Sequence, residues 1–512
     1  MNGLLGALGG LGDQLAAHVL LSAAAIALGI AVALPLAVWA SRAPAVSRAA
    51  LAFASLVQTI PALALLALFF PILLSLRSVF GEGLPTLGFL PALLALALYA
   101  LLPILRNAVT AQANLDPGVI EAADGVGMSP WQRLRLVEAP LAAPYVMAGI
   151  RTAAVWTIGA ATLATTIGQK SLGDPIFAGL QTQNWALVLA GCLASAGLAL
   201  LADTLLGTIE RGFRERRRGL WLGGILGVAL GVAAAFAAQF GGVRDGERIV
   251  IGAKGFSEQY ILARLIGQRL RAEGFAVEYR DGLGSAVAHS AAAGGEIDIY
   301  VDYTGTIWTN QMKRTENPPR EQMYREIVEW EEANTGMEVL GRLGFENAYG
   351  LAMQREAATF GEFNSITDVA RRGQAMVIGG DPEFFERPEW IAVRDAYGLR
   401  FAEQRNFSPT FMYNALRSGE ADIIGAYTSD GRIVADRLVI LDDPLGAFPN
   451  YDAVLLLSPQ AAGNGALRTA LMPLIGAIDV HMMREANFSV DREQDKLGFD
   501  EAARRLAEKA GL

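Results

Sequence analysis

The chain has 512 residues, enough for two or more domains, and its 53% hydrophobic content and mean hydropathy of +0.33 are high for a water-soluble fold. Charge is uneven: residues 1–243 carry 13 Lys and Arg against 10 Asp and Glu, whereas the remainder carries 29 against 41. The acidic second half argues against nucleic acid as a partner, because phosphate neutralisation needs a basic stripe, and the single cysteine, Cys192, excludes an intrachain disulfide or a thiolate metal cluster.

Six apolar runs occupy the first half, at residues 14–40, 50–74, 87–104, 144–167, 185–209 and 220–240. Each approaches or exceeds the ~20 residues that cross a bilayer as a helix. No small-residue cleavage site follows the first, so it is expected to be a retained span and not a signal peptide. Arg42 and Arg48, then Arg106, Arg133 and Arg135, then Arg211 and Arg214 to Arg218 mark alternate loops, and the other loops hold only Arg77 and Lys170. Basic loops stay cytoplasmic, which puts the N-terminus outside, residues 121–140 inside and everything after Phe240 outside. In the second run, Gln58-Thr59-Ile60-Pro61 reads as a tolerated kink, with a helix break lining a path as the alternative. Asp203 is expected to be a lone charge near the cytoplasmic end of the fifth span, with no intramembrane acid–base pair.

Residues 121–140, EAADGVGMSPWQRLRLVEAP, are a polar island between the third and fourth spans. Ala122, Ala123 and Gly127 let a helix lie close against another backbone, Glu121 favours a helix start, and Arg133 and Arg135 suit its end. By composition alone it is an ordinary linker helix. Glu121, Ala122, Ala123, Gly127 and Pro140 resemble the EAA loop of ABC importer permeases, with Val137-Glu138-Ala139 departing from the hydrophobic-x-hydrophobic pattern before the proline. The resemblance implies that the loop docks into a separate ATPase subunit. QTIPALALL and LGDPIFAGL are similar to permeases of the glycine betaine/carnitine/choline importers.

Past Gly241-Gly242 the composition is that of a soluble α/β domain. Strands are expected at 248–253, 276–279, 297–300, 349–353, 375–378, 421–426 and 453–457, with a helix at 258–273. Their alternation with helices predicts parallel sheets with ligands at the strand ends. GAKGFSEQYILARLI, GLGS, GEIDIYVDYTGT, GFENAYGLAM, FFERPEW, AYTSDGRI and FPNYDAVLLL resemble, in that order, the binding proteins of the same importers. The fold class implied is an all-α polytopic permease of about six spans followed by a two-lobed α/β binding domain. Its division is permease 1–218, last span and linker 219–243, and binding domain 244–512. Lobe one takes 248–344 and 446–512, and lobe two takes 345–445, the chain crossing near Gly344 and returning over 442–449.

A quaternary ammonium donates no conventional N–H hydrogen bond, so a binder relies on aromatic faces and exclusion of water. The resemblance places an aromatic cage at Tyr303, Tyr349, Tyr427 and Tyr451, and carboxylate-holding groups at Lys254, Thr306 and Arg387. Taken singly, each tyrosine reads as a core or rim residue, Arg387 as a surface ion pair and Lys254 as a solvated charge. Phe256, Tyr260, Tyr300, Trp308 and Tyr413 read as core or rim.

No GxxxxGK[ST] or GxSxG motif occurs, and His18, His289 and His481 lack metal-ligand spacing, so no catalytic residues, cofactor or metal are expected. The expectation is the permease and receptor of an ABC importer in the cytoplasmic membrane. Its partners are a separate ATPase, a second copy of the chain, the lipid bilayer and a small betaine: glycine betaine, proline betaine, carnitine or ergothioneine. A choline importer of the same architecture is the runner-up. A membrane-tethered chemosensor leaves six spans and the loop without a purpose, and a ligand-gated channel would need no ATPase.

Overall fold

The apolar runs fold as helices because backbone groups in hydrocarbon must be satisfied within their own segment. The computed structural model describes residues 2–81, 84–182, 184–240, 248–314, 316–407, 409–492 and 494–512. The helices of the first half are α1 (Asn2–Gly9), α2 (Gly12–Arg42), α3 (Pro44–Thr59), α4 (Ala62–Phe80), α5 (Phe89–Ala113), α6 (Pro117–Gly125), α7 (Pro130–Arg133), α8 (Ala139–Ala160), α9 (Gly173–Gln181), α10 (Trp185–Arg214) and α11 (Arg218–Phe240). A π-helical segment, Leu134–Glu138, joins α7 to α8, and a 3-10 segment, Ala161–Ile167, follows α8. Among the described residues six helical stretches are long and apolar enough to cross a membrane, including α4 and the whole of Pro130–Ile167.

The second span differs from the sequence expectation. Pro61 has no N–H to donate and forces Ile60 into extended backbone (φ −76°, ψ 125°), so α3 stops at Thr59 and α4 starts at Ala62. The motif is a break between two helices and not a kink within one.

Small residues set the packing of α2 on α5. Ala25, Gly29, Ala33 and Ala37 recur every four residues on α2, and a Cβ on Gly29 would lie 3.2 Å from that of Ala100. Close backbone approach supplies the van der Waals contact that replaces hydrophobic driving force in lipid. His18, fully buried, has Nε2 3.0 Å from the Ile158 carbonyl oxygen, while the Leu172 N–H donates to Nδ1 at 3.2 Å. That pairing fixes the tautomer with hydrogen on Nε2 and ties α2 to both α8 and the turn before α9.

Asp203 is not a lone charge. Arg151 of α8 donates from Nε at 2.5 Å and Nη2 at 2.8 Å to its two oxygens, and from Nη1 at 3.2 Å to Glu210 on the same helix, α10. The spans therefore contain an acid–base cluster, because a guanidinium that low in polar surroundings is held by forked pairing with carboxylates one or two turns apart.

The second half is an α/β unit with, among the described residues, two five-stranded sheets. Its strands are β1 (Arg248–Lys254), β2 (Ala276–Leu283), β3 (Ile299–Tyr303), β4 (Glu338–Glu346), β5 (Tyr349–Gln354), β6 (Val377–Gly380), β7 (Glu403–Asn406), β8 (Ile423–Tyr427), β9 (Leu438–Ile440) and β10 (Asp452–Leu457). One sheet runs β2-β1-β3-β10-β4 and the other β7-β6-β8-β5-β9. The first helix of this half, α12 (Ser257–Ala272), packs its apolar stripe on the first sheet.

The sheets are mixed, which corrects the parallel expectation. β10 runs antiparallel to β3 and β4, and β5 antiparallel to β8 and β9. A strand that begins where the chain arrives from the other sheet must run away from the cleft, whereas its neighbour runs toward it. β4, β7 and β9 were not anticipated; β7 is polar and mostly exposed, and β9, although apolar, is only three residues long.

Candidate ligand cage and coupling loop

The antiparallel crossing strands bring the tyrosines together. Tyr303 ends β3 and pairs in register with Ala453, two residues after Tyr451, while Tyr349, which opens β5, is directly opposite Tyr427, which ends β8. Tyr303 and Tyr451 thus belong to the first sheet's lobe, and Tyr349 and Tyr427 to the second's. Tyr349 is the centre of the cluster, 4.9 Å from Tyr427, 5.7 Å edge-on to Tyr451 and 5.4 Å from Phe384 between ring centroids. The Arg387 guanidinium lies 5.3 Å from the Tyr349 ring centroid. Tyr303 stands beside Phe256, with centroids 6.3 Å apart.

Carboxylates hold the phenols. Tyr303 donates to Glu258 at 2.6 Å, Tyr427 to Asp381 at 3.4 Å and Tyr451 to Glu389, and the Tyr349 and Tyr427 hydroxyls are 3.3 Å apart. Burial, reinforced by these acids, raises the Tyr303, Tyr427 and Tyr451 phenols well above their ordinary range, so they remain protonated donors. Glu389 lies on the helix Pro388–Tyr397 of the second lobe. It also accepts from Thr309 at 3.0 Å and stands 3.6 Å from Arg387. Since Thr309 and Tyr451 come from the first lobe, Glu389 bridges the two.

Arg387, Tyr349, Tyr427 and Tyr451 form one cluster, whereas Tyr303 has Phe256 and Lys254 against its ring and Thr306 has other surroundings. Lys254 is 3% exposed and is ion-paired with the fully buried Asp302, its Nζ 5.3 Å from the Tyr303 ring centroid. A buried ammonium needs such a partner. Thr306 is buried in the short helix Thr304–Thr306, one turn before Thr309. Among the aromatic residues assigned to core or rim, Tyr260, Tyr300, Trp308 and Tyr413 are all buried.

Sequence reasoning missed Glu258, Asp381 and Glu389. Two of them stand inside quoted motifs, GFSEQY and FFERPEW, but an acid in the first turn of a helix has the same signature whether solvated or buried. The three carboxylates give the cage an acid lining around its aromatic faces, a combination that suits a cation.

The loop of residues 121–140 is built from caps. Asp116 accepts from the Gly118 N–H at 2.8 Å to start α6. At the other end, the Gly127 N–H donates to Asp124 O at 2.9 Å and the Met128 N–H to Ala123 O at 3.2 Å, a closure that needs the left-handed φ of +77° at Gly127. Ser129 and Gln132 form a reciprocal capping box at the start of α7. Arg133 donates from Nη1 to both Asp124 oxygens at 2.8 Å and from Nε to Glu138 at 2.8 Å, so Glu138, between Val137 and Ala139, is an ion-pair partner within the loop. Glu121 and Ala122 are exposed and Ala123 is buried; Val126, Trp131 and Leu136 present apolar surface outward.

A polytopic helical unit with a capped loop of this kind, followed by a two-sheet clamp, defines a permease joined to a substrate receptor. Residues 247–509 match the substrate binding domain of ABC-type glycine betaine transport systems and residues 25–215 the binding-protein-dependent transport system inner membrane component; the chain belongs to these families, fused in one polypeptide. It is a multi-pass protein of the inner membrane.

Among its relatives, the chain is 30% identical over 450 residues to the ergothioneine transport permease/ergothioneine binding protein EgtU of Helicobacter pylori (strain G27), covering 85% of this chain and 78% of that one. Over 194 residues, 38% of this chain and 84% of the relative, it is 41% identical to the glycine betaine/carnitine/choline transport system permease protein OpuCB of Bacillus subtilis (strain 168). Over 207 residues, 40% of this chain and 89% of the relative, it is 40% identical to the carnitine transport permease protein OpuCB of Listeria monocytogenes.

Proposed function

We propose that the chain is the permease and receptor of an ATP-driven importer for a small quaternary amine, and that the cage at Tyr349 holds the trimethylammonium group. The observation that carries this reading is the convergence of Tyr349, Tyr427 and Tyr451 from both sheets, with Arg387 beside them. Ring faces attract a cation that cannot donate hydrogen bonds, and a guanidinium fork receives a carboxylate. A betaine carries both groups. Ergothioneine stands first among betaines, because a relative that matches 85% of the chain is named for it. Glycine betaine, proline betaine and carnitine follow, and choline, lacking a carboxylate, would leave Arg387 without a role.

Two copies of the chain form the pathway, each loop of residues 121–140 engages one subunit of a separate ATPase dimer, and the receptor faces the extracytoplasmic side. Lobe closure and the alternation of the pathway must each discriminate between liganded and empty states for transport to be coupled.

The test is calorimetric titration of the full chain in lipid nanodiscs with ergothioneine, glycine betaine, carnitine and choline. One betaine binds tightly, and Arg387→Ala and Tyr427→Ala each weaken it about tenfold or more, in line with ~0.5–2 kcal/mol for a cation–π contact and more for a forked ion pair. Choline bound as tightly by Arg387→Ala as by the unaltered chain, with every betaine weaker, would favour the choline importer. Heat-silent titrations with all four would remove the quaternary amine from the proposal.

A further inference from the structure

Glu258 opens α12 and is 2% exposed, yet donors reach it from widely separated parts of the receptor. The Tyr303 hydroxyl donates to Oε1 at 2.6 Å and Asn347 Nδ2 donates to the same oxygen at 3.1 Å. Asn487 Nδ2 donates to Oε2 at 3.0 Å and, with its second hydrogen, to the Ser429 carbonyl oxygen at 2.8 Å. Gln259, the next residue, donates to the Tyr303 hydroxyl at 3.0 Å.

The positions of these donors matter more than their number. Tyr303 is a wall of the proposed cage. Asn347 lies between β4 of one sheet and β5 of the other, where the chain passes between lobes, and its backbone N–H donates to Tyr451 O at 2.9 Å. Asn487 belongs to the first lobe's helix Val480–Asp491, and Ser429 to the second lobe's turn after β8. That turn passes close to the helix: a Cβ on Gly431 would lie 2.2 Å from the Phe488 nitrogen, and Arg484 Nε donates to Thr428 O at 2.7 Å. A rotation of one lobe on the other must move Asn347 and the 428–431 turn relative to α12.

We propose that Glu258 is the positioning residue that couples the cage to the hinge: its carboxylate holds Tyr303 in the orientation that receives ligand only while Asn347 and Asn487 are in their closed-lobe places. The inference rests on the cage reading above and adds to it the link between occupancy and lobe orientation. Tyr303 and both asparagine amides donate to this carboxyl; burial, the largest effect, raises it, while the hydrogen bonds around it favour the ionised form and act against the rise. Glutamine at this position offers one acceptor oxygen and an N–H₂ group that faces donors, so it keeps the volume and breaks the pattern.

The experiment uses the full chain in nanodiscs with Cys192→Ser and spin labels at Glu356→Cys and Thr469→Cys, exposed positions in the second and first lobes. The interlobe distance distribution is measured with and without ergothioneine or glycine betaine, and affinity by calorimetry. Expected results are that Glu258→Gln broadens the unliganded distribution and weakens binding at least tenfold, and that in a Tyr303→Phe background it adds less than threefold, since both substitutions cut one link. Asn347→Ala, which removes a single donor and keeps the buried acid, broadens the same distribution, so the inference stays testable if Glu258→Gln fails to fold. Unchanged distances and affinity in Glu258→Gln, unchanged distances in Asn347→Ala, or fold-losses of Glu258→Gln and Tyr303→Phe that simply multiply would overturn the coupling. If the unaltered chain binds neither compound, the cage reading fails by itself, and matching distance changes in Glu258→Gln and Tyr303→Phe still decide whether the hinge link exists.

Discussion

Glu389 answers to three groups at once: the Tyr451 hydroxyl, the Thr309 hydroxyl and, at 3.6 Å, the Arg387 guanidinium. The first two come from the opposite lobe, so the carboxylate holds the lobes together and also tempers the charge of the arginine that would receive a ligand carboxylate. Removing it in Glu389→Ala is expected to speed ligand dissociation about tenfold, measured by stopped-flow fluorescence, while an unchanged rate would mean that the cross-lobe bonds contribute nothing to retention. The sequence marks Tyr349, Tyr427, Tyr451 and Arg387 because their motifs are distinctive. It is silent on Glu389 and Glu258, whose burial depends on which strands run antiparallel beside them. Lys254 shows another limit: its place near a strand end is legible in the sequence, but its ion pair with Asp302, two strands away in the sequence, is not.

The elements of the membrane unit carry predictions of their own. The loop of residues 121–140 is a rigid object, since Gly127 closes α6 at φ +77° and Arg133 clips Asp124 to Glu138. Gly127→Ala puts a side chain in a left-handed conformation at a cost of about 1–2 kcal/mol, and Arg133→Ala frees both acids. Each is expected to lower ligand-stimulated ATP hydrolysis by the assembled transporter several-fold with ligand affinity unaltered; a matching loss of affinity would place the effect elsewhere. Farther along the same continuous helix, Arg151 grips Asp203 and Glu210 of α10. Arg151→Asp should abolish uptake and Arg151→Asp with Asp203→Arg should restore part of it, whereas equal loss in both would deny that the pair joins the helices. Helix existence was legible here from length and hydropathy. The Arg151 pair and the Pro61 break were not: the first depends on which spans are neighbours, and the second on whether surrounding groups allow a helix to continue past a proline.

At the scale of the whole receptor, a buried carboxyl, Asp491, ends the helix Val480–Asp491. Ser257 donates to Asp491 at 2.6 Å, and Arg432, forked onto Asp430, is close by. Burial pushes Asp491 up to about 7, with Asp430 adding to the rise and Arg432 and Ser257 opposing it. A carboxyl with a raised folded-state value takes up its proton in the fold before the unfolded chain does, so stability from this group grows as pH falls from about 7 towards its ordinary 3.8 and is missing above pH 8. The receptor's unfolding transition should therefore rise in temperature between pH 8 and pH 5, and Asp491→Asn should flatten that trend; an equal slope in the variant would assign it to other groups. The α/β class was readable from strand and helix alternation and the two-lobed plan from the family resemblance, but strand direction was not, and direction is what places two tyrosines at the starts of strands and two at the ends. That division has a kinetic meaning. With half of the proposed cage on each lobe, neither lobe alone would enclose a ligand, so on that proposal a captured solute leaves only as often as the clamp parts. Residence time is then a property of the hinge and not of the rings, and a substitution far from the cleft can change how long cargo is kept without touching it.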